Sequence, residues 1–357
     1  MSGETQGQSL LDILKEELSD RPGRVNTVLR HLLSCTIVIL LAMSLQVPLL
    51  SISLVLVFFV TQSSLAMTRM LGTLFIVSTT LAVGLAILLL KFTFDYPLLR
   101  IAGASLVFFV SVFFMRTCRF SPLFFVVALV TIYIQSQVDL NNDPEALTRA
   151  CLWAWVAIVY PTVVTVAVNT LLLPAPPPPD ETPRTPKPPL LVADAFENPA
   201  YLQFAFKTLL AALVCYLLYT AVDWPGIHTA MLTCLITAMP SLEKTLHKGL
   251  LRILGCLVGS ALALVCMVWV VPQIDSIVGL LLMSLPVLAL AAWVSAGSPR
   301  SSYAGIQIVF GFALALLADF APMTELSEIR DRLVGILLGV IVTMLIHVGL
   351  WPESAKA

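Results

Sequence analysis

The sequence predicts an all-α, polytopic membrane protein with twelve transmembrane helices built as two parallel six-helix repeats. Three observations carry this reading. Of 357 residues, 59% are apolar and only 11% are charged, whereas a soluble domain carries about 25% charged residues. The apolar residues fall into runs of bilayer length, which for helices means about 20 residues each. Finally, a stretch holding ten prolines, 174–199, divides the chain nearly in half and leaves six such runs on either side.

Taken in order, residues 1–26 are polar and read as a cytoplasmic segment without a cleavable signal peptide. Ser9-Leu-Leu-Asp12 is a capping box opening a short amphipathic helix with Leu10, Leu11, Leu14 and Leu18 on one face. That face suits the membrane surface and suits packing on the protein itself equally well. The first repeat, 27–173, holds helices predicted near 27–46, 48–66, 69–91, 98–116, 121–138 and 146–172. The Pro-rich linker 174–199 is extended and cytoplasmic. The second repeat, 200–351, holds helices near 200–222, 225–242, 248–272, 276–296, 302–319 and 328–350, before a tail at 352–357.

Orientation follows from Lys and Arg. With both termini cytoplasmic, 15 of the 20 basic residues lie inside, leaving Lys91, Arg100, Arg149, Arg330 and Arg332 outside. Net charge is −1, which argues against a nucleic-acid partner. The seven cysteines form no CxxC and the four histidines no ligand spacing, so neither a metal site nor a cofactor is expected. With no GxSxG, HExxH or P-loop motif, no catalytic residue is assigned and the chain does not read as an enzyme.

The halves match each other in sequence. Arg69-Met-Leu-Gly72 matches Arg252-Ile-Leu-Gly255 at an offset of 183, as Glu145 and Arg149 match Glu328 and Arg332. Arg119-Phe-Ser121 matches Arg300-Ser-Ser302 at 181, and Arg30 and Pro48 match Lys207 and Pro225 at 177. Each half also holds an interrupted segment: Pro48 opens a short polar span in one, and Pro225-Gly226 in the other. Paired interruptions of this kind point to a transport path; two ordinary tight hairpins are the plainer alternative.

Several strings then resemble the fusaric acid resistance family, closest to its multidrug-resistance branch. These are Asp194-Ala-Phe-Glu-Asn-Pro199-Ala-Tyr201, Val222-Asp-Trp-Pro-Gly-Ile-His-Thr229, Ser298-Pro-Arg-Ser-Ser-Tyr303, Glu328-Ile-Arg-Asp-Arg332 and Leu350-Trp-Pro-Glu-Ser354. The resemblance implies an inner-membrane exporter of aromatic carboxylic acids or amphipathic drugs. It implies as partners a periplasmic membrane-fusion adaptor and an outer-membrane channel. More distantly it implies kinship with plant malate channels, and so a passive anion channel as the alternative. The chain departs from the family in having a Pro-rich linker where a large cytoplasmic domain is expected.

Candidate residues follow from charge in an apolar setting. Arg69 and Arg252, read as opening the third helix of each half, are placed at the cytoplasmic boundary. There they either attract an anionic substrate or anchor the helix at the interface by snorkelling. Arg119 and Arg300 join them as anion-steering candidates or plain topology determinants, and Gln62 joins them from the short span. Asp223 and His228 flank the Pro225-Gly226 break and are proton-coupling candidates; facing external water is the plainer reading. Glu145 with Arg149, and Glu328 with Arg332, have the i,i+4 spacing of helical ion pairs. Gly255-Cys-Leu-Val-Gly259 and Gly335-Ile-Leu-Leu-Gly339 allow close helix approach, inside the bundle or across a homodimer. The remaining partner is membrane lipid.

Overall fold

The computed structural model describes residues 23–138, 141, 143–173, 189–317 and 326–351. The predicted N-terminal helix, most of the Pro-rich linker and the C-terminal tail lie outside them. Twelve α-helices follow one another among the described residues. They are α1 (Arg24–Leu45), α2 (Leu50–Val60), α3 (Leu65–Thr93), α4 (Pro97–Thr117), α5 (Ser121–Val138) and α6 (Pro144–Ala167, continued by a wide turn Val168–Leu172). After the linker come α7 (Pro199–Ala221), α8 (Thr229–Thr237), α9 (Leu242–Trp269), α10 (Ile277–Ser295), α11 (Ser302–Leu316) and α12 (Leu326–Gly349). The sequence predicted twelve spans; among the described residues nine helices are long and apolar enough to cross a membrane, and α2, α8 and α11 are shorter.

The helix pairings within the two sets of six correspond. The pairs α1–α2, α2–α6, α1–α6, α3–α5, α3–α6 and α4–α5 recur as α7–α8, α8–α12, α7–α12, α9–α11, α9–α12 and α10–α11. Pairings between the sets come in couples as well: α1–α10 with α7–α4, and α2–α11 with α8–α5. An arginine sits on an aromatic ring at each of the first couple. Arg24 lies 4.1 Å from the Trp293 ring centroid and Arg116 lies 5.3 Å from that of Phe204.

The two interrupted segments are discontinuous rather than simply short spans. At 11 and 9 residues, α2 and α8 are about 16 and 14 Å long, roughly half the apolar thickness of a bilayer. Each is followed by an extended stretch before a long helix. Backbone left outside a helix must find partners when lipid surrounds it, and here it does so in the same way twice. Gln62 N donates to Thr68 Oγ1 (3.1 Å), and Met239 N donates to Thr245 Oγ1 (3.2 Å). Ser64 caps α3 by accepting from Met67 N, and Ser241 caps α9 by accepting from Lys244 N. These anchors equate positions 177 apart in α3 and α9, so the offset of 183 suggested by the Arg-x-Leu-Gly strings is not the packed register. It places Phe75, not Arg69, opposite Arg252.

Glycines set the tightest contact in the bundle, between α9 and α11. A Cβ on Gly255 would lie 2.7 Å from Ala304 O, and one on Gly311 2.7 Å from Cys256 O. A Cβ on Gly259 would lie 2.9 Å from Phe312 N. Gly335 and Gly339 hold α12 against Ala230 of α8 in like fashion. Both GxxxG strings thus serve contacts within the bundle.

The end of the linker is strapped to the α4–α5 turn. Arg119 N donates to Leu190 O and Val192 N to Thr117 O, both at 2.9 Å, around a single antiparallel bridge between Cys118 and Leu191. Asn198 then caps α7, accepting from Ala200 N at 3.0 Å. The Asn198 amide donates to Asp194, as does the Tyr201 hydroxyl, and these bonds hold the Asp194 carboxyl below its ordinary pKa.

Replacing Gly259 by Val should lower stability by about 1–3 kcal/mol through overpacking. A fall in the melting temperature of the detergent-solubilised protein reads this out. Leu257→Ala, at a position 45% exposed two residues away, should leave it nearly unchanged.

Candidate functional site

Helix α9 carries Lys248, Arg252, Cys256 and Ser260 at four-residue steps, which places them along one helix face. That face meets α11, α8 and α12. Arg252 is 1% exposed. Its Nη1 donates to Gln307 Oε1 of α11 at 2.9 Å, its Nε to Thr233 Oγ1 of α8 at 3.3 Å, and its Nη2 has no acceptor. The Phe310 ring lies 5.3 Å from the guanidinium. One turn earlier, Lys248 Nζ lies 5.3 Å from the centroid of the Tyr303 ring. One turn later, Cys256 Sγ donates to Gln307 Oε1 at 3.6 Å. A cavity of about 10 Å³ continues the line, bordered by Cys256, Ser260, Thr229, Phe310 and Arg332.

No carboxylate lies in ion-pairing distance of Lys248 or Arg252 among the described residues. A cation at membrane depth costs about 2.5–3.5 kcal/mol or more, and such a charge ordinarily finds an acid. Here two cations stand one helical turn apart, with aromatic rings and neutral dipoles around them and one guanidinium N–H₂ unspent. Such a set of groups has the chemistry to accept a compact anionic group with an apolar body.

The predicted pair Arg69 and Arg252 is not a pair. Arg69 is exposed near the start of α3 and donates to Thr170 Oγ1 at 3.4 Å. Arg252 does not open its helix: α9 begins at Leu242, which places Arg252 about 15 Å along it. Arg119 and Arg300 are exposed in their turns, where Arg119 N serves the linker strap and Arg300 O accepts from His247 Nε2 at 2.9 Å. The Gln62 side chain donates to Phe59 O at 2.9 Å and finishes α2. None of these four lies in the Arg252 cluster.

At the opposite ends of the helices, Asp223 is exposed with φ of 51°, and His228 is half-buried with Nδ1 2.9 Å from Pro225 O. The Glu145–Arg149 ion pair forms at 2.6 Å on an exposed surface. The Glu328 side chain lies outside the described residues, and Arg332 donates to the Leu314 carbonyl. Arg330 pairs with Asp331 at 2.8 Å and covers the Trp224 ring.

The sequence reading missed Lys248, Thr233, Tyr303 and Gln307. Two signals were available: the four-residue step from Lys248 to Arg252, and Gln307, the one amide within α11. It also left Arg30 as a mere repeat marker. Arg30 is 1% exposed and donates to Gln62 O (2.9 Å), Asn169 Oδ1 (2.7 Å) and Thr27 Oγ1 (2.9 Å). Lys207, at the matching place in α7, donates to Trp351 O at 2.9 Å.

The described helices and their lipid-length apolar runs define a multi-pass α-helical membrane protein with a buried cationic centre in its second half. Within that class, the chain belongs to the fusaric acid resistance family. The family described as "Fusaric acid resistance protein-like" matches residues 210–346, which include the whole Arg252 cluster. Multidrug resistance protein MdtO of Escherichia coli strain K12 is 30% identical over 491 aligned positions, covering 97% of this chain and 72% of that protein. MdtO of Escherichia coli O157:H7 and of Shigella flexneri match at the same identity and coverage. No solved structure matches.

Arg30 and Arg252 should respond differently to loss of charge. Arg30→Met leaves the Asn169 and Gln62 oxygens without their donor and should cost about 2–4 kcal/mol, taking 1–3 kcal/mol for each orphaned group. Arg252→Met removes an uncompensated buried charge and should be neutral or stabilising. Thermal melting of the two variants beside the parent checks both.

Proposed function

We propose that the chain is an inner-membrane efflux transporter with both termini cytoplasmic, and that its substrate's anionic group docks at Arg252. The observation that carries this reading is a buried guanidinium with an unspent N–H₂, beside a second cation and no carboxylate. Arg30 spends both of its terminal nitrogens on protein acceptors and leaves only Nε over, whereas the Arg252 Nη2 makes no bond and retains capacity for an external anion. The rings of Tyr303 and Phe310 suit an aromatic carboxylic acid or amphipathic drug. The column from Lys248 through Arg252 to Ser260 follows α9 for about 18 Å, in the direction that a path across the bilayer would take.

The corresponding helix pairings support two parallel six-helix repeats, and the paired discontinuous helices support a path at the repeat core. In this reading the transporter is not an enzyme; it is driven by the proton gradient, with Asp223 and His228 as coupling candidates, and works with a periplasmic adaptor and an outer-membrane channel. A passive anion channel is the second reading. It is favoured by the same acid-free cations, which would conduct an anion without any coupled proton.

Proteoliposome flux of a labelled aromatic carboxylate, with and without an imposed pH gradient, separates the two. Gradient-stimulated export is expected, and flux that simply follows the anion's own equilibrium would select the channel. Arg252→Gln should cut flux at least tenfold at unchanged membrane abundance, while Arg69→Gln should leave it within about twofold; undiminished flux in Arg252→Gln sinks the site. If Asp223→Asn and His228→Asn retain the parent's pH dependence, those two residues carry no coupling.

A further inference from the structure

The seam between α4 and α7 ends on a cation that the protein leaves partly unpaired. Arg116 lies in the last turn of α4, and its guanidinium sits 5.3 Å from the Phe204 ring of α7. Its Nε is buried and has no acceptor, and Arg116 forms no ion pair among the described residues. Of the two acids on the adjoining linker strap, Asp194 spends its carboxylate on Asn198 and Tyr201, and Glu197 is exposed.

The counterpart seam, between α1 and α10, treats its cation differently. Arg116 and Trp293 are 177 positions apart, as are Arg24 and Tyr201, the same offset that relates α3 to α9. The cation has therefore changed sides of the seam. Arg24 is 2% exposed, and its Nε and Nη2 both donate to Trp293 O, at 3.1 and 2.6 Å. Arg116 is only half-buried, so an acceptor can reach it from outside the protein.

The surroundings of Arg116 indicate the source of that acceptor. A residue in the last turn of a spanning helix lies near the level where the headgroups begin. Phe113, one turn before Arg116, has its ring 5.8 Å from that of Phe196 on the strap, and Phe196 is 75% exposed. Leu190 of the same strap is 64% exposed, and Phe120 in the α4–α5 turn is 40% exposed. Arg119, a second cation, is exposed in that turn. Cations beside bare apolar side chains suit the boundary between phosphates and acyl chains. A soluble anion would leave those apolar side chains in water. We propose that the α4–α5 turn and its strap bind one phospholipid of the adjacent leaflet, with the phosphate on Arg116 and acyl chain against Phe196 and Leu190. The site shares no residue with the Arg252 cluster.

The test uses the full chain in an uncharged maltoside detergent with phosphatidylglycerol that carries a photoreactive diazirine in one acyl chain. A galactosyl diacylglycerol with the same chains is the phosphate-free comparison, and labelled peptides are mapped by mass spectrometry. At a lipid fraction that leaves the parent unsaturated, phosphatidylglycerol should label segments 113–120 and 189–204. The galactolipid in the parent, and phosphatidylglycerol in Arg116→Gln, should label them about tenfold less, the loss of one charge-assisted hydrogen bond. Arg116→Lys keeps a point charge for the phosphate and should stay within about threefold of the parent. Phe196→Ser leaves the guanidinium in place and should label about fivefold less. Arg300→Gln, in the corresponding turn of the second half, should label as the parent does, and melting temperatures report that each variant folds. Equal labelling by the two lipids would overturn the proposal, as would undiminished labelling in Arg116→Gln and Phe196→Ser. Displacement of the lipid by inorganic phosphate or by an aromatic carboxylate would overturn it too, making this a site for a soluble anion. Arg252→Gln should label as the parent does, so a failure of the transport reading leaves this result untouched.

Discussion

The backbone-level contact between α9 and α11 is the constraint on which the site depends. Lipid tails are as apolar as leucine, so helices in a bilayer gain little from hydrophobic burial against one another and gain most from close fit. Gly255, Gly259 and Gly311 remove the side chains that would hold the axes apart, and the carbonyls of Cys256 and Ala304 come up against the opposite helix. That approach is what brings Gln307 Oε1 within 2.9 Å of the Arg252 guanidinium. With ordinary side chains at those glycines, the axes would stand wider and Arg252 would lose its main dipole partner. Packing and electrostatics are therefore one requirement here.

The same helices in the first half take another course. In the packed register Phe75 occupies the place of Arg252, and its ring lies 6.5 Å from that of Phe59 on α2. An aromatic contact stands where the second half has a charge. The corresponding helix pairings thus surround a charge in one set of six and an aromatic pair in the other. The family match to residues 210–346 falls on the set that holds the charge.

Much of this was legible in the sequence. The two interrupted segments and the placement of most helices follow from proline, hydropathy and length. The start of α9 was not legible, because Glu243, Lys244 and His247 read as a polar loop. Ser241 nonetheless caps a helix there, and those charges lie on its first turns. Arg252 was misplaced for a related reason: a charge beside an apolar run is read as the edge of a span, since burial is costly. What offsets that cost, Gln307 and Thr233, lies 55 and 19 residues away, and nothing local reports it. The coincidence of Arg-x-Leu-Gly strings then suggested a false register, whereas Thr68 and Thr245, with no charge to draw the eye, hold the real one.

The discontinuous helices explain how cations persist at depth without acids. A helix C-terminus carries the equivalent of about half a negative charge. Arg30 donates to Gln62 O just past the end of α2, and Arg252 to Thr233 in the last turns of α8. In the first half the broken helix ends at the buried cation; in the second the cation meets a side-chain hydroxyl one turn before the helix end. The halves differ in what remains after that. Asn169 and Thr27 join Gln62 O in occupying both terminal nitrogens of Arg30, leaving Nε, whereas a whole terminal N–H₂ of Arg252 is left without a partner. A full ionised partner would neutralise Arg252 permanently and close the site to anions. The weaker field of neutral dipoles leaves its charge uncancelled, which is the condition that the proposed reversible anion site would require.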